Sequence, residues 1–362
     1  MKYNEYRRLT REVVVGNKVI GGKSPVSIQS MTNTDTHDID ATYAQVKSLE
    51  NAGCDIVRIT APDIESANTF RALKTRDVKI PLVADIHFNY KIAIAVADAG
   101  VDKIRINPGN IGDKEKIRQV VEACRERNIP IRIGVNSGSL EESILKKYGS
   151  PTAEALAESA LYHASLLEDL DYRNIIISVK SSDPRNMIFA NRILAEKTDY
   201  PLHLGVTEAG AGMSAVIKSS VGIGTLLADG IGDTVRVSLT DDPIEEIAMA
   251  RSILDSLNIS ENRGMDIVSC PTCGRTQIDL ISLVSEFESR VKAEGLDREN
   301  IKVALMGCAV NGPGEAREAD IGIAGGRGEA LLFKKGEIIG KVSEDKVLDA
   351  LIFEIKKIPQ KI

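Results

Sequence analysis

The chain has 362 residues, of which 43% are hydrophobic and 27% charged, and a formal net charge of -6. These are the proportions of an ordinary globular protein with room for one large domain and a smaller one. The negative balance argues against general nucleic-acid affinity, which needs a surplus of surface cations, although clustered Arg and Lys can still meet a small anion. No apolar run approaches the ~18 residues of a membrane span, and MKYNEYRRLTREV has no apolar signal core, so a cytoplasmic protein without membrane attachment is expected.

In chain order, REVVVGNKVIGG predicts a hairpin. Strand patterns follow at 26–31, 55–60, 81–86, 102–107, 129–136, 174–180, 201–207 and 233–239. Helical patterns such as ATYAQVKSLENAG and DKEKIRQVVEACRERN lie between them. Eight strand–helix units over about 250 residues predict an α/β fold, a (β/α)8 TIM-type barrel. A doubly wound open sheet is disfavoured, because no G-x-G-x-x-G follows the first strand.

In such barrels, functional groups project from the C-terminal ends of the strands. The pattern there supplies Arg58, then Asp85 and His87, Arg105 and Asn107, Arg132 and Asn136, Lys180, Glu208, and finally Arg236 and Ser238. Convergence of Arg58, Arg105, Arg132 and Lys180 would cost heavily in self-repulsion and desolvation unless a multiply charged anion sat among them. A phosphate or diphosphate fits, since guanidinium forks match phosphate oxygens in pairs and lysine adds a point charge. Arg236 is expected to face the core side and pair internally, and is left outside this set. Asp85, Glu208 and the asparagines are suited to holding hydroxyl groups or managing protons. Glycines in NPGN and TEAGAG allow backbone amides to approach a ligand, or serve plain turns.

After the polar stretch SLNISENRGM the pattern changes. A helix at 277–294, strands KVALMG and ADIGIAG, a hairpin EALLFKKGEIIGKV and a closing helix predict a smaller α+β domain. Its loops carry Cys270 and Cys273 in SCPTCGRT and Cys308 in MGCAVNGPGE. Three thiolates suit a zinc site or an iron–sulfur cluster with one iron left for another ligand. All four histidines lie far upstream, which leaves no Cys3His knuckle within this region, while Glu315 is a nearby oxygen donor. Five cysteines in a chain without a secretion signal favour metal binding over disulfides, with Cys54 and Cys124 expected as buried structural thiols.

SCPTCGRT, MGCAVNGPGEA, VRIT, ADIHFN, RINPGN, IRIGVN and TEAG, in this order and spacing, closely resemble the 4-hydroxy-3-methylbut-2-en-1-yl diphosphate synthase family in its bacterial two-domain form. The resemblance spans almost the whole chain. It implies a TIM-barrel substrate domain at 1–258 followed by an iron–sulfur α+β domain at 265–362. The implied enzyme reductively opens 2-C-methyl-D-erythritol 2,4-cyclodiphosphate in the non-mevalonate isoprenoid pathway and eliminates water, consuming two electrons from flavodoxin or ferredoxin. It further implies a [4Fe-4S] cluster on Cys270, Cys273, Cys308 and an exchangeable Glu315. Arg58, Arg105, Arg132, Lys180 and Ser238 would take the diphosphate, with Asp85, His87, Asn107, Asn136, Glu208 and Asn311 nearby. Glu208 is the candidate acid for the leaving hydroxyl. The family also implies a homodimer in which the cluster domain of one subunit closes over the barrel of the other. The residues by themselves leave two alternatives, a zinc-stapled barrel that binds or hydrolyses a phosphoester without redox chemistry, and a non-catalytic binding protein whose C-terminal domain is a metal-stabilised partner module.

Overall fold

Parallel pairing of strands rich in Ile and Val organises the first of two units, Met1–Ser260 and Glu261–Ile362. The computed structural model describes residues 3–260, 264–308 and 316–358. An antiparallel hairpin, β1 (Val13–Val15) and β2 (Lys18–Ile20), turns at Gly16, whose φ of +58° suits glycine. The barrel strands are β3 (Ser27–Met31), β4 (Ile56–Ala61), β5 (Leu82–Ile86), β6 (Lys103–Ile106), β7 (Ile131–Asn136), β8 (Ile175–Lys180), β9 (His203–Leu204) and β10 (Thr234–Val235). Their order is β8-β7-β6-β5-β4-β3-β10-β9, and a parallel bridge between Ile177 and Leu202 joins the two ends into a ring.

The last two strands are shorter than the 201–207 and 233–239 patterns suggest. Beyond Leu204 the ladder thins to spaced single bonds, from Arg236 N–H to Leu204 O and from Thr207 N–H to Ser181 O. The helices start where the sequence offers caps. Asp38, Asn89, Asp113, Thr152, Asp183 and Asp242 each accept a backbone N–H of the following helix, and Pro184 and Pro243 occupy first-turn positions.

Side chains alternate along each strand. Ile104 and Ile106, Ile131, Ile133 and Val135, and Ile175, Ile177 and Val179 face outward into the large apolar core beneath the helices. Their neighbours face the barrel interior. At the N-terminal end of the barrel, Val13, Val15 and Ile20 of the hairpin pack on Ile56, Val83 and Ile176 as an apolar plug. Each such buried aliphatic side chain contributes about 1.5–3 kcal/mol.

In the second unit, β11 (Asp266–Ser269), β12 (Lys302–Met306) and β13 (Ile321–Gly325) run parallel, and β14 (Glu329–Lys334) and β15 (Glu337–Ser343) continue antiparallel. Helices Leu280–Ala293 and Val347–Ile355 cover one face through Leu283, Phe287, Leu351 and Ile352. The short edge strand β11 escapes the sequence reading because its four residues are exposed or half-buried and show no apolar alternation. Among the described residues, no helix is long and apolar enough to cross a membrane.

Candidate active site

Period-two alternation carries a column of polar residues into the barrel. On β6 it aligns Lys103 and Arg105 with Asn107 beyond, on β7 Arg132 and Gly134 up to Asn136, and on β8 Ser178 and Lys180. Arg58 and Asp85 enter from β4 and β5, and Arg236 follows β10. The four cations expected to converge are all buried, Arg132 to 1% exposure.

Asp85 is the carboxylate among them, its Oδ1 3.0 Å from Arg105 Nη1 and its Oδ2 3.5 Å from Arg58 Nε. Burial alone would raise its pKa, but Arg58, Arg105 and Arg132 outweigh that and hold it far below the usual carboxylate range. Burial pushes Arg58 down to about 10 despite Asp85. Burial, compounded by neighbouring arginines, pushes Arg132 and Lys180 well below their ordinary values. One carboxylate cannot neutralise four cations. Among the described residues, no protein group pairs with Arg132 Nε and Nη1 or with Arg105 Nε, though all three are buried. These are donors without acceptors, the condition that a bound polyanion relieves.

Two glycines make the space. A Cβ at Gly134 would lie 2.2 Å from Arg105 Nε, and one at Gly205 would lie 2.8 Å from Lys180 Nζ and 2.5 Å from the Arg236 carbonyl. The remaining expected residues sit at the C-terminal mouth. His87 is exposed, with Nε2 2.9 Å from Arg105 Nη1, and burial followed by the arginines keeps its pKa low against the pull of Asp85. Asn107 is buried and its Oδ1 caps the short helix Pro108–Ile111 by accepting Gly109 N–H, while Asn136 ends β7 half-buried. Glu208 is exposed and holds a left-handed φ of +52°, an uncommon conformation for a side-chain-bearing residue that tends to gather at functional loops.

Ser238 Oγ accepts from Arg236 Nη1 at 2.6 Å, and Arg236 Nη2 lies 3.0 Å from Glu246 Oε1, so Arg236 does pair internally. It nevertheless adds to the positive field at Arg58 and Lys180. The sequence reading passed over Gln29, Lys103 and His203, all buried inside the same barrel. The signal was present, because Lys103 stands two residues before Arg105 and His203 two before Gly205.

In the second unit, Cys270 follows β11 and Cys308 follows β12, the neighbouring parallel strand, with Ser269 opposite Leu305. Gly307 N–H donates to Cys270 Sγ at 3.2 Å, and Gln277 N–H donates to Gly307 O at 3.0 Å, which pins the C-x-x-C loop to the loop carrying Cys308. Cys273 is exposed, and the Arg275 backbone N–H, then its side chain, lowers its pKa. Cys54 and Cys124 are buried and pushed up to about 12, so they are inert structural thiols. Among the described residues, no three His, Cys, Asp or Glu side chains stand close enough to close a metal site. Asn311 and Glu315 lie outside the described residues. The donors fit an iron–sulfur group in kind: soft sulfurs on two adjoined loops, one thiol favouring its thiolate, and a backbone N–H aimed at sulfur.

A closed (β/α)8 barrel with a buried cationic interior, continued by a unit bearing three accessible sulfur donors, defines a two-domain TIM-barrel protein. The family is resolved by comparison. The chain belongs to the GcpE family, matching the GcpE TIM-barrel domain over residues 10–251 and the GcpE protein C-terminal domain over 266–357. It is 57% identical over 97% of its length to the 4-hydroxy-3-methylbut-2-en-1-yl diphosphate synthase (flavodoxin) of Clostridium perfringens, covering 99% of that protein. It is 56% identical over 96% of its length to the synthase of the same name from Geobacter sulfurreducens, covering 98% of it. In fold alone it is similar to the HPPK-DHPS A437G structure of Plasmodium falciparum, with a TM-score of 0.51 and 12% identity over 78% of this chain and 54% of that one.

Proposed function

We propose that this chain is an iron–sulfur oxidoreductase that converts 2-C-methyl-D-erythritol 2,4-cyclodiphosphate to 4-hydroxy-3-methylbut-2-enyl diphosphate in the non-mevalonate isoprenoid pathway. Two electrons and two protons enter, one ring C–O bond breaks, and one hydroxyl leaves as water. The observation that carries this reading is the buried set Arg58, Arg105, Arg132 and Lys180 with a single carboxylate among them, in a chain whose close relatives bear the synthase name.

The diphosphate lies among those four cations, with Ser238 as an added hydroxyl partner. Asp85 keeps Arg58 and Arg105 aligned for it. The fork of Arg132, unpaired at Nε and Nη1, turns to phosphate oxygens. Asn107, Asn136 and His87 hold the carbon skeleton's hydroxyl groups at the mouth, and Asn311 is kept as a further substrate-binding residue. Glu208, fixed by its left-handed backbone, gives the proton to the leaving hydroxyl. Cys270, Cys273, Cys308 and Glu315 hold a [4Fe-4S] cluster, which supplies the electrons and Lewis acidity when bound. Flavodoxin, which the relatives' names carry, is the electron donor, and the protein works as a homodimer.

Anaerobic purification with iron, sulfide and zinc analysis tests the reading. Brown protein with about four irons and four sulfides per chain, turning over the cyclodiphosphate with reduced flavodoxin, is expected. Colourless protein with one zinc would end it.

A further inference from the structure

Below the four cations lies a second polar layer that no step above uses. Lys103 precedes Arg105 by two residues on β6, Gln29 precedes Met31 on β3, and His203 opens β9. Lys103 and His203 are fully buried and Gln29 is 1% exposed. Among the described residues, the Lys103 amine makes one hydrogen bond, to Gln29 Oε1 at 3.5 Å, too long to compensate a desolvated charge.

Among the described residues, the surroundings offer no counter-ion. Strand register sets Lys103 level with Val83, and Gln29 level with Ile56, two members of the apolar plug. The charged groups that bear on it are Arg58 from β4, Arg132 from β7 and Asp102 next in sequence. Asp102 is already engaged by Lys74 Nζ at 2.5 Å and by Leu82 N–H. Asp85 is taken by Arg58 and Arg105, and Glu246 by Arg236. His203 faces Thr234 Oγ1 through Nδ1, and among the described residues no protein group pairs with its Nε2.

We propose that Lys103 is a proton acceptor coupled to the anion site: uncharged in the free protein, it takes one proton from solvent when a diphosphate dianion settles among Arg58, Arg105, Arg132 and Lys180. The inference rests on the diphosphate reading of that site. Burial, reinforced by Arg132 and Arg58, holds the amine well below its ordinary value, so it is poised to respond when the local field reverses. Burial, reinforced by Arg132 and Lys180, holds His203 well below its ordinary value, which already lies below that of an amine, so the ring is the poorer proton acceptor of the two. The site thereby matches its charge to its occupant. Without ligand it carries one less positive charge to repel Arg132, and with ligand it gains a cation below the phosphates. Lys103 is thus a positioning residue that acts through the field on Arg132.

The test uses the anaerobic holoprotein without reductant, so that the cyclodiphosphate binds and does not turn over. Equilibrium dialysis between about pH 7 and 9 gives affinity, and calorimetry in buffers of different ionisation heat gives protons taken up. Protons taken up by groups other than Lys103 are common to wild type and both variants, so the difference is the readout. Wild type is expected to take up close to one more proton per site than K103M or K103Q. Its affinity should therefore fall about tenfold more per pH unit than that of either variant. Two variants guard against a folding artefact, since both remove the amine at similar volume. Equal uptake in wild type and both variants would overturn the inference and leave the diphosphate reading intact. Absence of cyclodiphosphate binding to wild type would overturn that reading and this inference with it.

Discussion

Replacement of Arg132 by Met should make the protein more stable and less able to bind. Arg132 is 1% exposed, and its Nε and Nη1 have no protein partner among the described residues. Two unmade hydrogen bonds at about 1–3 kcal/mol each, plus repulsion from Arg58 and Arg105, oppose the attraction of Asp85. Methionine fills similar volume without charge. As for other buried ions replaced by apolar side chains, the net gain should be about 1–4 kcal/mol. For a barrel of this size that is a rise of roughly 3–12 °C in melting temperature. Binding should move the other way. A lost pair of charge-assisted bonds at about 1.5–3 kcal/mol each weakens cyclodiphosphate affinity roughly 10²–10⁴-fold. Calorimetric melting and equilibrium dialysis on the anaerobic holoprotein read both quantities. A variant that melts lower and binds as tightly as wild type would refute the view that Arg132 is held in waiting for an anion.

Asp85→Asn should do the reverse, destabilising by about 3–5 kcal/mol because it strips Arg58 and Arg105 of their common partner. Since the native Asp85 pKa is lowered, that stability is present above the ordinary aspartate range and lost as pH falls toward the native value. The gap between wild type and D85N in urea melts should therefore narrow on acidification. Gly134→Ala should fold but bind poorly, because its Cβ displaces the Arg105 side chain; Gly205→Ala should melt lower, because it also meets the rigid Arg236 carbonyl. Glu208→Gln should retain cyclodiphosphate affinity in dialysis while losing about 10²–10⁴-fold in turnover, and full turnover would remove it as the acid. Cys273→Ser should lower iron and sulfide content of anaerobically purified protein without changing the barrel's melting, whereas Cys54→Ser should leave iron content unchanged.

The barrel was legible because its outward faces are written in Ile and Val at period two, and its helices begin at Asp, Asn or Thr caps. The strand ends that carry Arg58, Asp85, Arg105, Arg132 and Lys180 follow from the same alternation, and the structure brings these five together inside one ring. The second layer was legible in principle and overlooked in practice. Lys103 and His203 lie deep in strands where a sequence reading expects the apolar layers usual in such barrels. What alternation cannot reveal is depth along the barrel axis, because that depends on strand stagger. The short β9 and β10 had the same cause: the pattern of 201–207 and 233–239 records inward and outward facing, whereas the ladder records only which backbone groups meet. Pairing partners such as Glu246 for Arg236, ten residues on and in the next helix, leave no periodic trace.

The two layers also explain why the interior tolerates so much unpaired charge. An open channel would hydrate these cations cheaply and hold an anion weakly. The hairpin plug of Val13, Val15 and Ile20 closes the N-terminal end, so the field of the arginines works in a medium of low polarisability and faces the mouth. Sealing strengthens the attraction for a diphosphate and raises the cost of the empty site at the same time. A charged Lys103 beneath Arg132 would add to that cost in the empty site. Weakening the plug should therefore relax both effects together. Ile20→Ala, which costs about 2–5 kcal/mol in packing, should admit water from below, shrink the stabilisation gained on R132M replacement and weaken diphosphate binding. Full additivity of the two substitutions in melting experiments would show that the plug and the cations are energetically independent, and the argument for a sealed field would fail.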